Sequence, residues 1–289
     1  MKKKAALGIL CLLLTHNIYA QNSTDIWVYS MKEKKGRITL SKGERITNRD
    51  AYDNQPTFFR SDFLLYTSQI GDQTDIIVHN LYEGENLNIT NSPESEYSAQ
   101  VIGNYDTFGA VRVEPDGRQR IWLFHLDGKS KPEVVMEKVE PVGYFAWNSI
   151  NDVLAFVLGD PITLVKGNVN QVDDFIVTSH VGRTIKVIPG TNDFAFERVE
   201  ENGEVNIYRL NDTTDEFEVV IKKPEGALDW CITNEGTYIT SIGTKLYGYN
   251  PEFNIDWKVL TELGDVADKG ITRMAVNQDN KRIAIVMNN

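Results

Sequence analysis

The sequence predicts an all-β chain: a six-bladed β-propeller whose last blade is closed by strands from both termini. Three observations carry this. One short pattern, an apolar run, a tight turn and a second apolar run, recurs six times between Asp62 and Asn280. The repeats lie about 40 to 45 residues apart, which is the length of one four-stranded blade. The sixth repeat has only its first two strands, Ile271 to Val276 and Arg282 to Met287, while unmatched third- and fourth-strand patterns stand at the other end of the chain.

The first twenty residues have the three parts of an export signal. Lys2-Lys3-Lys4 is a cationic start, Ala5 to Thr15 is apolar, and Ile18-Tyr19-Ala20 precedes Gln21. The apolar run is shorter than the roughly twenty residues a membrane span needs. Cleavage is expected after Ala20. A lipoprotein signal using Cys11 is the competing reading, but Leu10 occupies the place where a small residue is normal. The predicted organisation is thus a signal over residues 1–20 and one propeller over 21–289, in a periplasmic or secreted protein.

The formal charge is −11, with 41 acidic residues. Loss of the three signal lysines leaves 27 basic residues and a charge of about −14. An acidic chain of this kind is a poor ligand for nucleic acid, whose phosphate backbone dominates attraction. It is equally unsuited to an anionic lipid surface, and no later run is long enough for stable membrane insertion. With Cys231 alone left after cleavage, no intramolecular disulfide forms. Packing must hold the core together, and a monomer is expected.

The turns fall at Ser61-Asp62, Tyr105-Asp106, Asn151-Asp152, Asn192-Asp193, Glu235-Gly236 and Asp279-Asn280. A few residues beyond each comes a matching position: Tyr66, Val111, Phe156, Phe196, Thr240 and Ile285. A small residue precedes it at Ala110, Ala155, Ala195 and Ala284, as close approach of packed sheets requires. Runs apolar on both faces signal strands with sheet on either side. Third strands follow at Asp75 to Leu81, Arg120 to Leu126, Asn206 to Leu210 and Leu246 to Asn250, rich in β-branched and aromatic residues. Asp25 to Met31 has the same third-strand pattern, and Gly36 to Leu40 supplies a fourth strand, so the two ends share a blade. This sharing removes the exposed edges of an open array. The outer strands of the third blade, around Pro161 to Asn170, have no clear place.

The sequence resembles the TolB-like six-bladed propellers built from WD40-like (PD40) repeats. That repeat reads roughly Trp-Ser-Pro-Asp-Gly, Ile-Ala-Phe, Ile-Tyr-Val. Its best echoes are Trp147 to Asp152 with Leu154-Ala155-Phe156, and Arg282-Ile283-Ala284-Ile285 continued by Ile26-Trp27-Val28. The resemblance spans the chain after the signal, and it implies the fold more strongly than a function.

Among chemistry-bearing residues, His79 falls in a column with Tyr29, Phe124, Tyr208 and Tyr249 and reads as a packing substitute. His125 belongs on a blade rim, and His180 has no neighbouring ligand pattern. The Gly-x-Ser-x-Gly turn of a serine hydrolase is absent. Cys231 follows Trp230 in an apolar strand and reads as an inert buried thiol. Asn211 to Glu216 is acidic but lacks the ligand spacing and central glycine of a calcium loop. No metal and no cofactor are expected.

One constellation is different. Counting back seven positions from each turn gives Gln55, Ala99, Phe145, Lys186, Asp229 and Arg273 on first strands, which line a propeller's channel. Buried charges need partners, so Gln55, Lys186, Asp229 and Arg273 either pair with one another in a hydrated channel or meet a ligand at its mouth. Tyr97 and Tyr144 would supply aromatic surface beside them. The expected function is a non-catalytic binding or scaffolding module of the cell envelope, with an envelope protein or glycan as partner. The alternative is a carbohydrate-active lyase or hydrolase using the same polar residues. A third reading, a sensor for a small anion, requires Lys186 and Arg273 to be unpaired at one mouth.

Overall fold

The computed structural model describes residues 23–102, 106–127, 130–171, 173–264 and 270–289. The segment read as an export signal, and Tyr105 of the second turn, lie outside the described residues. The chain enters through β1 (Thr24–Lys34), β2 (Arg37–Leu40) and the two-residue β3 (Glu44–Arg45). Five four-stranded antiparallel sheets follow. The first contains β4 (Asp53–Phe59), β5 (Phe63–Ile70), β6 (Gln73–Asn80) and β7 (Asn86–Asn88). The second contains β8 (Ser95–Ile102), β9 (Thr107–Val113), β10 (Gln119–His125) and β11 (Glu133–Val135). The third is β12 (Val142–Trp147), β13 (Asp152–Val157), β14 (Thr163–Asn168) and β15 (Phe175–Ser179). The fourth is β16 (Val181–Val187), β17 (Phe194–Val199), β18 (Val205–Leu210) and β19 (Phe217–Lys222). The fifth is β20 (Trp230–Ile232), β21 (Tyr238–Ile242), β22 (Lys245–Tyr249) and β23 (Lys258–Glu262).

The last blade closes as the sequence predicts. β24 (Ile271–Val276) and β25 (Arg282–Asn288) join β1 and β2 in the order β2-β1-β25-β24. β1 and β25 pair continuously, from Thr24 opposite Asn288 to Ser30 opposite Arg282. In the third blade the unplaced outer strands are β14 and β15, which follow the bend at Asp160-Pro161. Among the described residues no helix is long and apolar enough to cross a membrane.

Alternation along a strand splits its side chains between two interfaces. On β5, Leu64 and Tyr66 pack against Ile26, Val28, Ala284 and Val286 of the closing blade, while Leu65 packs against Ala99, Phe108 and Ala110 of the second. The same division gives six hydrophobic clusters among the described residues, one at each contact between blades. Ala110, Ala155, Ala195 and Ala284 are all fully buried in these clusters.

The sequence columns mix two faces, however. The loops between first and second strands differ in length: Phe59 faces Phe63, whereas Val187 faces Phe194 and Val276 faces Ile283. Counting from the turn therefore drifts by a position, and a one-residue drift moves a side chain to the opposite face of its sheet. Val111 and Phe156 consequently face the following blade, while Tyr66, Phe196 and Ile285 face the preceding one. In the same way Leu210, opposite Phe194, rather than Tyr208, is the counterpart of His79, opposite Leu64.

Ile26 on β1 is fully buried between the closing and first blades. Ile26→Ala is expected to lower stability by about 3 kcal/mol through lost burial and the cavity left behind. Leu87→Ala on the outer edge, 64% exposed, is expected to shift it by less than about 0.5 kcal/mol. Urea denaturation of the two variants checks the contrast; equal effects would mean that β1 does not close the ring.

Candidate ligand site at the channel mouth

The innermost strands are not regular. Each of β4, β8, β12, β16 and β24 loses register once against its second strand, between Asn54 and Thr57, Tyr97 and Gln100, Val142 and Tyr144, Val181 and Ile185, and Ile271 and Arg273. A bulge of this kind leaves residues unpaired and re-aims their side chains. Gln55 and Ser98 accordingly take the left-handed backbone region, at φ 55° and 57°. In β16 the bulge contains Gly182, where a Cβ would lie 2.2 Å from the Glu197 carboxylate. Only glycine lets the strand pass Glu197 and present Arg183 next to it.

Side chains from the first-strand segments of all six blades line a small inner cavity of about 50 Å³, Gln55, Ser98, Phe145, Lys186, Asp229 and Arg273 among them. A wider space of about 560 Å³ adjoins it, bounded by Tyr52, Tyr144, Arg183, Thr272 and Arg273 and, from the rims, by Glu197 and Lys223. Tyr144, Arg183 and Arg273 belong to both linings and mark the boundary between cavity and mouth.

The structure sorts the predicted residues into different roles. Gln55 and Asp229 are clamps between blades. The Gln55 carbonyl accepts the Thr67 hydroxyl and the Ser98 amide, both at 2.8 Å. Asp229 is 3% exposed and accepts the Thr184 hydroxyl at 2.9 Å and the Met274 amide at 2.8 Å, tying the fourth, fifth and sixth blades together. Neither Lys186 nor Arg273 forms an ion pair with it; among the described residues Lys186 has no ion-pair or hydrogen-bond partner. Arg273 reaches from the sixth blade to the third, donating to the Tyr144 hydroxyl at 3.0 Å with its guanidinium 5.3 Å from the ring centroid. Tyr144 is braced edge-on by Phe156 at 5.6 Å. Tyr97 packs at the interface of the second and third blades and lines neither cavity. Ala99 and Phe145 are buried in interface clusters.

The six counted positions also occupy two levels. Phe145 and Lys186 sit opposite Ala155 and Ala195, but Arg273 sits opposite Val286, beyond Ile285 and nearer the mouth. The connecting loops produce this offset, because the turn residue sits one position before the first paired residue, Phe194, in the fourth blade and three before Ile283 in the sixth.

Two mouth residues escaped the sequence reading. Arg183 donates to the Thr272 carbonyl at 3.2 Å and reaches the Leu228 carbonyl at 3.5 Å. Its signal was present: two cations, Arg183 and Lys186, on one short inner strand. Tyr52 precedes β4 outside any repeat column. Burial raises its phenol well above the ordinary value, against the opposing pull of Arg273 and Arg183, so it stays a neutral hydrogen-bonding group.

Other chemistry lies elsewhere. His79 Nδ1 is 2.8 Å from the Asn86 amide oxygen, and His180 Nδ1 is 3.0 Å from Ser179 Oγ. No group of three or more His, Cys, Asp or Glu among the described residues is arranged to hold a metal. In the acidic turn Asn211 to Glu216, Asp212 and Asp215 grip Lys166 of the third blade at 3.1 and 2.6 Å, so this turn joins blades.

Asp229→Ala is expected to lose about 2 to 4 kcal/mol, because a buried hydroxyl and a buried amide both lose their acceptor. Lys186→Gln should stay within about 0.5 kcal/mol of wild type. Chemical denaturation decides; a silent Asp229→Ala would refute the clamp. Burial also pushes the Cys231 thiol from 9.0 up to about 12. The unfolded chain therefore releases this proton first, and the associated stability, complete below pH 9, is lost as pH rises toward 12. Wild-type stability should fall more steeply across that window than that of Cys231→Ala, with thiol reagents labelling only unfolded protein.

No family model matches the chain, and no curated protein matches it. Solved structures do. A putative TolB from Agrobacterium tumefaciens superposes with a TM-score of 0.72 at 10% identity, over 93% of this chain and 99% of that one. A gluconolactonase from Xanthomonas campestris gives 0.63 at 8% identity, over 90% and 95%. A chain of the nidogen/laminin complex gives 0.59 at 10%, over 91% and 98%. At such identities the likeness is one of architecture, and the chain has the TolB-like six-bladed propeller fold.

Proposed function

We propose that the chain is an exported binding module of the cell envelope that docks a protein segment or glycan at the channel mouth. The observation that carries this is the mouth itself. Tyr52, Tyr144, Arg183 and Arg273 gather around one open space of about 560 Å³, within the range of about 300 to 1,000 Å³ usual for ligand sites. The Asp229 clamp ties the strands of Arg183 and Arg273, the Gln55 clamp holds β4 beside Tyr52, and Arg273 itself reaches Tyr144. A surface held in this way loses little further freedom on binding, which favours affinity. Aromatic and arginine side chains are also the groups that most often anchor interfaces.

A carbohydrate-active lyase or hydrolase is the second reading, favoured by the unpartnered Lys186 in the inner cavity and by the fold shared with a gluconolactonase. The inner cavity, at about 50 Å³, has room for water but not for a sugar ring. Lys186 therefore has no access to such a substrate.

Affinity capture from envelope extract tests the proposal. Wild type and the Arg183→Gln, Arg273→Gln double variant are compared, with folding of both followed by circular dichroism. A protein or glycan retained by wild type and lost from the variant is the expected result. Identical capture by both would move the site away from the mouth. Turnover of a lactone or polyuronide that depends on Lys186 would replace the binding reading with the enzymatic one.

A further inference from the structure

We infer that the mouth contains a subsite for one oxyanionic group, a carboxylate or a phosphate, held between the guanidinium groups of Arg183 and Arg273. The inference rests on the mouth being the ligand site and specifies the chemistry it recognises. Arg183 and Arg273 donate to the same acceptor, the carbonyl oxygen of Thr272, at 3.2 and 3.1 Å. Two like charges are thus neighbours in a half-buried place, and among the described residues neither has a carboxylate partner. Such a pair repels itself in the empty site, more strongly than in bulk water. An anion between the two groups converts repulsion into two attractions.

The nearby carboxylates are already committed. Asp229 is engaged by the Thr184 hydroxyl and the Met274 amide. Glu197 accepts from Lys223 at 2.6 Å and from the Trp230 indole at 3.1 Å. The two linings together hold four cations, Arg183, Lys186, Lys223 and Arg273, against these two carboxylates. This local excess is positive although the chain carries −11 overall.

Donors remain for the ligand. A guanidinium has five N–H groups, and among the described residues Arg183 bonds only through Nη2 and Arg273 only through Nη1 and Nη2. The Tyr144 hydroxyl accepts from Arg273, which leaves its own proton to donate. Among the described residues the buried hydroxyl of Thr272, in the mouth wall, has no hydrogen-bond partner. The inner cavity is too small for more than water, so the oxyanion stops at the Arg183–Arg273 boundary. The body of the ligand then lies in the mouth against Tyr52 and Tyr144, and Lys186 attracts it from below.

Isothermal titration with inorganic phosphate, D-glucuronate and, as the neutral control, D-glucose tests the inference. Phosphate or glucuronate should bind, glucose should not, and added chloride should weaken binding by screening. Loss of the charged hydrogen bonds in Arg183→Gln or Arg273→Gln should weaken the bound anion roughly tenfold or more. Arg273→Lys, which keeps the charge, should retain part of the affinity. Binding of phosphate alone identifies a phosphoryl group as the natural head, and binding of glucuronate alone a carboxylate. As a readout independent of ligand, Arg183→Gln should leave Tm of the anion-free protein unchanged or raised, since a repulsion is removed. The absence of binding by both anions, or equal binding by wild type and both glutamine variants, overturns the subsite. If envelope capture still depends on the two arginines in that case, the mouth remains a binding site and only its anion chemistry is wrong.

Discussion

Every second strand in this ring must bury both of its faces, because a neighbouring sheet lies on each side. Leu64 and Tyr66 turn one way and Leu65 the other; Ile283 and Ile285 turn one way and Ala284 and Val286 the other. From this requirement follow the fully apolar runs, the alanines placed where two sheets close up, and the closure of the last blade by β1. An arc without that closure would leave Ile26, Val28, Ala284 and Val286 facing water beside an unpaired edge. At about 25 cal/mol per Å² of apolar surface, interfaces of this kind dominate the stability of the fold. Rigidity at the centre is a by-product of packing at the periphery of each strand.

The innermost strands meet a different demand. Their faces pack on both neighbouring blades, as Phe58 and Phe59 do, but one edge pairs with no strand and looks into the channel. Bulges in five of the six convert that freedom into polar geometry. Some of the re-aimed groups stitch one blade to the next, as Gln55 does with Ser98 and Asp229 with Thr184 and Met274. Others, Arg183, Arg273 and Tyr144, are left with functional groups turned to the mouth. Stitching and display therefore come from the same local irregularity. Arg183 and Arg273 do both, bonding across blades while keeping N–H groups toward the mouth.

This division explains what was legible in the sequence. The blades, their number and the shared last blade follow from hydrophobic pattern and spacing, since burial on both faces leaves a strong imprint. The outer strands of the third blade left a weak one: Phe175 and Ile176 on β15 are exposed, so burial did not shape their pattern. Within the channel, counting from the turns brought Gln55, Lys186, Asp229 and Arg273 to one cavity but mistook their levels, because bulges and unequal loops alter the count without altering composition. Arg183 was hidden inside a bulge, and Tyr52 stands outside the repeat altogether. The partners of Asp229, a hydroxyl and a backbone amide from different blades, belong to tertiary structure that no single-chain spacing encodes.

The pairing of β1 with β25 also has a consequence in time. Residues 24–30 leave the ribosome about 250 residues ahead of their partner strand, residues 282–288. Throughout synthesis five blades can assemble while the first strand waits, its apolar face without a home. Contacts of such long separation form slowly, and exposed faces and strand edges in the interval invite association with other chains. A nascent chain of this protein is thus an adhesive arc until residues 282–288 arrive, and a cell that makes it must keep that arc covered during the wait.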